Sequence, residues 1–214
     1  MFHKDFFGTI GKGEGAPPTT EVTGFRAYNR MKKSSFTTKK LVVTALMAAL
    51  VFVFTYLHID IPTPLSNTMI HLGNVMGILA GLLFGSTTGG LAAGLGSMIY
   101  DMADPRYLPT AWLTFLMKFA MGWVAGKLAE KNTQQIMRKN VLAGSCGSLT
   151  YVILYMIKTF VQNRIVYGYE LETVMTTVFT KGVTSLVNGV IAVVVATLLN
   201  KAVRPALEQA GIMD

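Results

Sequence analysis

The stretch 69–100, MIHLGNVMGILAGLLFGSTTGGLAAGLGSMIY, decides the architecture of this 214-residue chain. It holds no Asp, Glu, Lys or Arg. It is also too long for a single bilayer crossing, which needs about 20 apolar residues at about 1.5 Å of rise each. The turn-like Gly85-Ser86-Thr87-Thr88 interrupts it. It therefore divides into two runs, 69–85 and 88–100, that form a tight helical hairpin.

Working outward, four more apolar runs appear at 41–57, 111–129, 141–161 and 174–199, the first without a single charged residue. The reading is an all-α integral membrane bundle of six transmembrane helices. Composition agrees: 51% of residues are hydrophobic and 14% charged, against about 25% charged in a soluble domain. A net charge of +8 would point to nucleic acid in a soluble protein. Here the charges lie between the apolar runs, so no nucleic-acid partner is expected. The lone Cys146 lies inside an apolar run and reads as a small packing residue.

Orientation follows from where the cations fall. Arg26, Arg30, Lys32, Lys33, Lys39 and Lys40 precede the first run; Lys127, Lys131, Arg138 and Lys139 join the fourth and fifth; Lys201 and Arg204 follow the last. The opposite loops carry only Arg106 and Arg164, beside Asp60, Asp104, Glu170 and Glu172. Both termini are thus cytoplasmic, as an even number of spans requires. The first run has no small-residue cleavage site after it and reads as a retained span. The domain reading is a flexible cytoplasmic extension over 1–38, a membrane domain over 39–204 and a cytoplasmic tail over 205–214. Residues 1–30 are polar and aperiodic. With Met31-Lys32-Lys33 as a plausible start, they are expected to be a dispensable tag or over-extension.

Small residues recur every four positions: Gly73, Gly77, Gly81 and Gly85, then Gly90 and Gly94, then Gly122 and Gly126. Such lines let helix backbones approach closely in lipid, where packing replaces the hydrophobic drive between helices. In the first run Ala45 and Ala49 form a smooth strip, suited to a neighbouring span or another protein.

Ionisable groups within a span cost about 2.5–3.5 kcal/mol each on insertion scales. Lys118 and Lys181 lie about 10 Å deep by helical rise, and Lys158 about one turn from an end. Helical spacing groups Ser148, Tyr151, Tyr155, Lys158 and Gln162 on one face, and Thr177, Lys181, Thr184, Ser185 and Asn188 on another. Thr114 shares the fourth run with Lys118, and Trp112 stands near its mouth. His71 and Asn74 enter from the same side; Tyr100 and Asp101 leave there. Together they read as a polar pocket open to the outside. The substrate-binding set is His71, Asn74, Asp101, Trp112, Lys118, Tyr151, Tyr155, Lys158, Lys181 and Asn188. Plainer roles compete: Lys158 can snorkel, Asp101 can pair with Lys118 or Lys181, and His71 can cap a helix end. No second histidine lies at a metal-ligand spacing from His71. No nucleophile–base pair or phosphate-cradling loop stands out. Binding rather than catalysis is expected, with no metal or cofactor.

The segments Ile70-His71-Leu72-Gly73-Asn74, Ala80-Gly81-Leu82-Leu83-Phe84-Gly85 and Gly89-Gly90-Leu91-Ala92-Ala93-Gly94-Leu95-Gly96-Ser97, with Lys118-Phe119-Ala120-Met121-Gly122, resemble the substrate-binding S components of energy-coupling factor (ECF) vitamin transporters, riboflavin-type branch. The resemblance implies six helices and a bacterial plasma-membrane protein. It also implies a membrane-embedded coupling subunit docking on Ala45 and Ala49, and two cytoplasmic ATPases. The S component would take its vitamin from outside under a loop at 58–68 and release it by toppling in the membrane. Riboflavin ranks first, with pantothenate, pyridoxine or hydroxymethylpyrimidine as other candidates. The competing reading is a self-sufficient secondary transporter of a small polar solute, for which the internal repeats usual in that class are not evident.

Overall fold

The computed structural model describes residues 38–130, 132 and 136–213. The expected N-terminal extension lies, but for Thr38, outside the described residues. Five helices account for most of the described chain: α1 (Thr38–Tyr56), α2 (Gly73–Ala103), α3 (Ala111–Ala129), α4 (Met137–Phe160) and α5 (Leu171–Gln209). Four of them, α3 excepted, are long and apolar enough to cross a membrane. Lys118 and Lys127 lower the apolar character of α3.

The second and third expected spans are the two arms of α2. Gly85 breaks it with φ 84° and ψ −177°, a backbone region essentially reserved for glycine. The chain reverses there, since a Cβ on Gly89 would collide with the backbone of Gly81, eight residues away. The reversal is sharper than the expected four-residue turn, for Ser86 is already helical. Glu130 accepts hydrogen bonds from the Ser86 amide (2.8 Å) and hydroxyl (2.6 Å), placing a carboxylate at the start of the second arm, where helix dipoles favour it. Burial pushes the Glu130 carboxyl up, but these bonds and Lys127 outweigh it and hold the group below its ordinary value.

Helix α3 packs into this reversal through backbone. A Cβ on Gly81 would lie 2.7 Å from the Gly122 carbonyl oxygen, and one on Gly126 would lie 2.5 Å from the Ser86 nitrogen. Nearly every side of α2 is buried, and it forms the centre against α1, α3 and α5. In α1 the buried residues Thr44, Met47, Ala48, Val51 and Thr55 follow one helical stripe. Its other face leaves Leu41, Val42, Leu46 and Val53 exposed, together with Ala45 and Ala49. Cys146 is exposed on α4, so it is a surface residue and not the packing residue expected.

The fold is helical as expected, with one short non-helical addition. Between α1 and α2, β1 (His58–Pro62) and β2 (Asn67–His71) form an antiparallel hairpin, with His58 opposite His71 and Asp60 opposite Met69. After α2 a 3-10 turn, Leu108–Thr110, leads into α3. Helix α4 runs on as a π-helical turn, Val161–Val166. Helix α5 continues through Pro205 to Gln209, so residues 205–209 of the expected tail are helical.

Candidate functional site

The hairpin lies across one end of the bundle and roofs a small polar chamber. Its walls are Thr55 of α1; Thr68, Met69 and His71 of β2; Ser97 and Asp101 of α2; Tyr107; Thr114 and Lys118 of α3; Tyr151 and Tyr155 of α4; and Ser185 and Asn188 of α5. Every helix contributes.

Lys118 is the centre of the chamber. It is 3% exposed, donates a hydrogen bond to the Asn74 side-chain oxygen, and holds its ammonium 4.0 Å from the centroid of the Tyr151 ring. A desolvated cation over an aromatic face gains roughly 2 kcal/mol. Tyr151 stacks on Tyr155, with centroids 5.6 Å apart and planes within 12°, and Lys181 lies 5.8 Å from the centroid of the Tyr155 ring. Each ring of the pair thus has a lysine near it. Among the described residues no carboxylate lies within ion-pair distance of Lys118 or Lys181, so Asp101 does not form the close pair that was one of its plainer roles.

The roof is fixed on two sides by different means. Asn188, 4% exposed, accepts from the His71 amide (3.0 Å) and donates to the Met69 carbonyl (2.8 Å), pinning β2 to α5. His71 Nδ1 accepts from the Gly73 amide at 3.1 Å, the helix-capping role considered for it. On the other side, Arg106 donates to Asp60 of β1 (2.9 Å) and to Asp104 (2.7 Å). Hydrogen bonds from Arg106 hold the Asp104 carboxyl below its ordinary range, and both carboxylates raise the Arg106 guanidinium. The guanidinium also packs 5.3 Å from the Tyr107 ring. Burial pushes the Tyr107 hydroxyl up; it lines the chamber without a hydrogen-bond partner among the described residues.

Of the residues singled out in the sequence, His71, Asp101, Lys118, Tyr151, Tyr155 and Asn188 line the chamber, and Asn74 touches it through Lys118. Lys181 is buried near the Tyr155 ring but does not line the chamber. Lys158 reaches Thr110 at 3.4 Å and borders an outer apolar groove. Trp112 lies outside the chamber, 60% exposed on that same groove. It is six residues from Lys118, about 240° around the helix. Thr177 and Thr184 bond their own helix carbonyls at 2.9 Å. Thr55, Thr68, Met69, Ser97 and Tyr107 were not among the expected residues. Two had a signal: Ser97, at the end of the glycine-rich arm, and Thr68, the last residue of the covering loop that the family resemblance implied.

The chamber measures about 60 Å³, whereas sites for drug-sized ligands usually offer about 300–1,000 Å³. Hydroxyls, an ammonium, a carboxylate and stacked rings suit a planar ligand rich in acceptors. Admitting one requires the roof or the tyrosines to move.

A family model described as ECF-type riboflavin transporter, S component, matches residues 35–205. Four solved chains match the fold. One, described as "Structure and mechanism of the S component of a bacterial ECF transporter", superposes with a TM-score of 0.60 at 18% identity, over 79% of this chain and 97% of that one. At that identity the likeness is one of fold. A search of the curated proteins returned no match.

Proposed function

The chain belongs to the ECF-type riboflavin transporter S-component family, a transporter family and not an enzyme family, and on that premise we propose that it captures riboflavin from outside the cell for an ATP-driven importer. The observation that carries this reading is the chamber itself. Lys118, Asp101, Tyr151 and Asn188 meet beneath a hairpin roof, far from any role in holding a soluble core. Lys118 and the chamber hydroxyls donate to the carbonyls of the flavin ring, and Tyr151 and Tyr155 supply faces for it to stack on. His71, Asn74 and Asn188 hold the donors and the roof in place. Lys181 and Lys158 supply positive charge from the flanks.

In this reading the arms of α2 count as two crossings, giving six spans with both termini cytoplasmic in a bacterial plasma membrane. The cation bias of the sequence supports that orientation. The belt of exposed apolar side chains on α1, α4 and α5, among them Leu46, Leu142 and Val190, supports the membrane setting, since lipid would cover it. Ala45 and Ala49, exposed on α1, offer the smooth strip on which a membrane-embedded coupling subunit docks, itself served by two ATPases. Release follows toppling of the S component against that subunit.

The test is flavin titration of the detergent-purified protein, read by quenching of flavin fluorescence. We expect one riboflavin per chain, with pantothenate and pyridoxine unable to compete. A sample that leaves riboflavin fluorescence unchanged but is thermally stabilised by one of those vitamins reassigns the ligand. A sample that responds to none removes the capture function.

A further inference from the structure

A second built pocket lies at the opposite end of the bundle, where α1 begins and α5 ends. Its cavity of about 230 Å³ is lined by Lys39, Lys40 and Val43 of α1, Leu83, Phe84 and Thr88 from either side of the Gly85 reversal, and Arg204, Ile212 and Met213 from the end of the chain. We propose that this pocket binds the phosphate headgroup of one anionic phospholipid, with Lys40 and Arg204 on the phosphate and the acyl chain along Val43, Leu83 and Phe84.

Three parts of the chain distant in sequence build the site. The end of α5 turns back at Gly211, whose φ is 64°, and the Ile212 amide bonds the Leu207 carbonyl at 3.0 Å. Lys39 donates to the Gly211 carbonyl at 2.7 Å, tying the start of the first helix to the end of the last. Leu207 and Met213 pack against the hydrophobic core. The far wall of the pocket is therefore anchored and not a trailing end.

The chemistry is that of an amphiphile. Three cations form the rim; among the described residues the carboxylate paired with one of them is Glu208, which accepts from the Arg204 Nε at 2.8 Å. The two terminal nitrogens of Arg204 make no hydrogen bond among the described residues, which leaves the part of a guanidinium best suited to a phosphate. Lys40 forms no ion pair among the described residues. Below the rim the wall is apolar. The cations stand where the apolar length of α1 begins, the level a lipid headgroup occupies, and basic pockets between helices at that level suit phosphorylated headgroups. A free inorganic phosphate would use the rim and leave Val43, Leu83 and Phe84 uncovered; a phospholipid uses both. The site is separate from the vitamin chamber, so it stands whatever that chamber binds.

The test is lipid retention. The protein is reconstituted in nanodiscs of equal phosphatidylglycerol and phosphatidylcholine, released, and its bound lipid counted by native mass spectrometry. We expect one phosphatidylglycerol retained in about tenfold preference over phosphatidylcholine, falling to parity in the Lys40→Ala/Arg204→Ala variant and returning in Lys40→Arg/Arg204→Lys. Inorganic phosphate at millimolar concentration should not displace the lipid. Equal retention of the two lipids by the wild type overturns the proposal, as does a preference that survives the double alanine change. Displacement by inorganic phosphate alone overturns it too, making the pocket a simple anion site. Should the double variant not elute as a single species, Arg204→Gln and the wild-type lipid comparison decide the matter.

Discussion

The two ends of the α2–α3 unit are built from opposite materials. At the Gly85 end the helices meet backbone to backbone, with Gly81, Gly89, Gly122 and Gly126 leaving no room for a single added carbon. At the roofed end the same helices present Ser97, Asp101, Thr114 and Lys118 to a chamber. One end is fixed by the absence of side chains and the other is adjustable because of them. A receptor in lipid needs both, since a chamber can widen only if the helices that frame it are hinged somewhere firm.

The sharpest way to break this comparison is at the firm end. Gly126→Val would place its Cβ 2.5 Å from the backbone of Gly85 and Ser86, and backbone cannot step aside as a side-chain tip can. Overpacking of this kind costs about 3 kcal/mol or more when nothing relaxes. We expect the variant to lose its single elution peak in detergent or to unfold far below the wild type in a thermal melt. A melting temperature within a degree or two of wild type would show that this end yields.

At the adjustable end the cost should appear in binding before stability. Lys118→Met removes a buried cation of similar volume, leaving the Tyr151 face covered and the Asn74 oxygen without its donor. A hydrogen bond from a charged group contributes about 1.5–3 kcal/mol, so riboflavin affinity should fall roughly 10- to 100-fold, measured by fluorescence titration. The thermal midpoint should move far less than for Gly126→Val. If affinity is unchanged, Lys118 is a packing residue and the chamber is not the site.

The contrast between the ends also explains what could be read from the sequence. Glycine spacing is local and periodic, so the Gly85 reversal and the glycine lines were legible, as was Lys118, a cation stranded in an apolar run. Of the five site residues expected on α4 and α5, Tyr151, Tyr155 and Asn188 line the chamber, and all three follow from helical faces alone. Trp112 shows where that reasoning was not carried through, because the same periodicity that groups Thr114 with Lys118 turns Trp112 away. Tyr107 and the pairing of strands 58–62 and 67–71 were not legible, although the resemblance implied a covering loop at 58–68. Their places depend on how loops fold over the bundle, and no helical period reports that. The pinning of β2 by Asn188 joins residues 117 and 119 positions apart, and a polar stripe reveals that such a residue is buried without revealing its partner.

The smallest expected effect lies within the roof, whose two attachments repeat the contrast on a smaller scale. Asn188 is buried and both its amide oxygen and nitrogen are hydrogen-bonded, whereas Arg106 and Asp60 are 44% and 39% exposed. Exposed ion pairs contribute about 0–1 kcal/mol and weaken with salt. We expect the Arg106 side of the roof to be the side that lets go, with β2 acting as the hinge. Arg106→Gln should speed riboflavin release about two- to fivefold, followed by stopped-flow fluorescence. Raising salt from about 50 mM to about 500 mM should speed release from the wild type toward the variant's rate, because screening loosens the same contact, and should leave the variant unaffected. Equal salt dependence in both proteins would mean that another contact governs opening. A wild-type rate indifferent to salt would move the hinge to the Asn188 side, and with it the assignment of which strand swings.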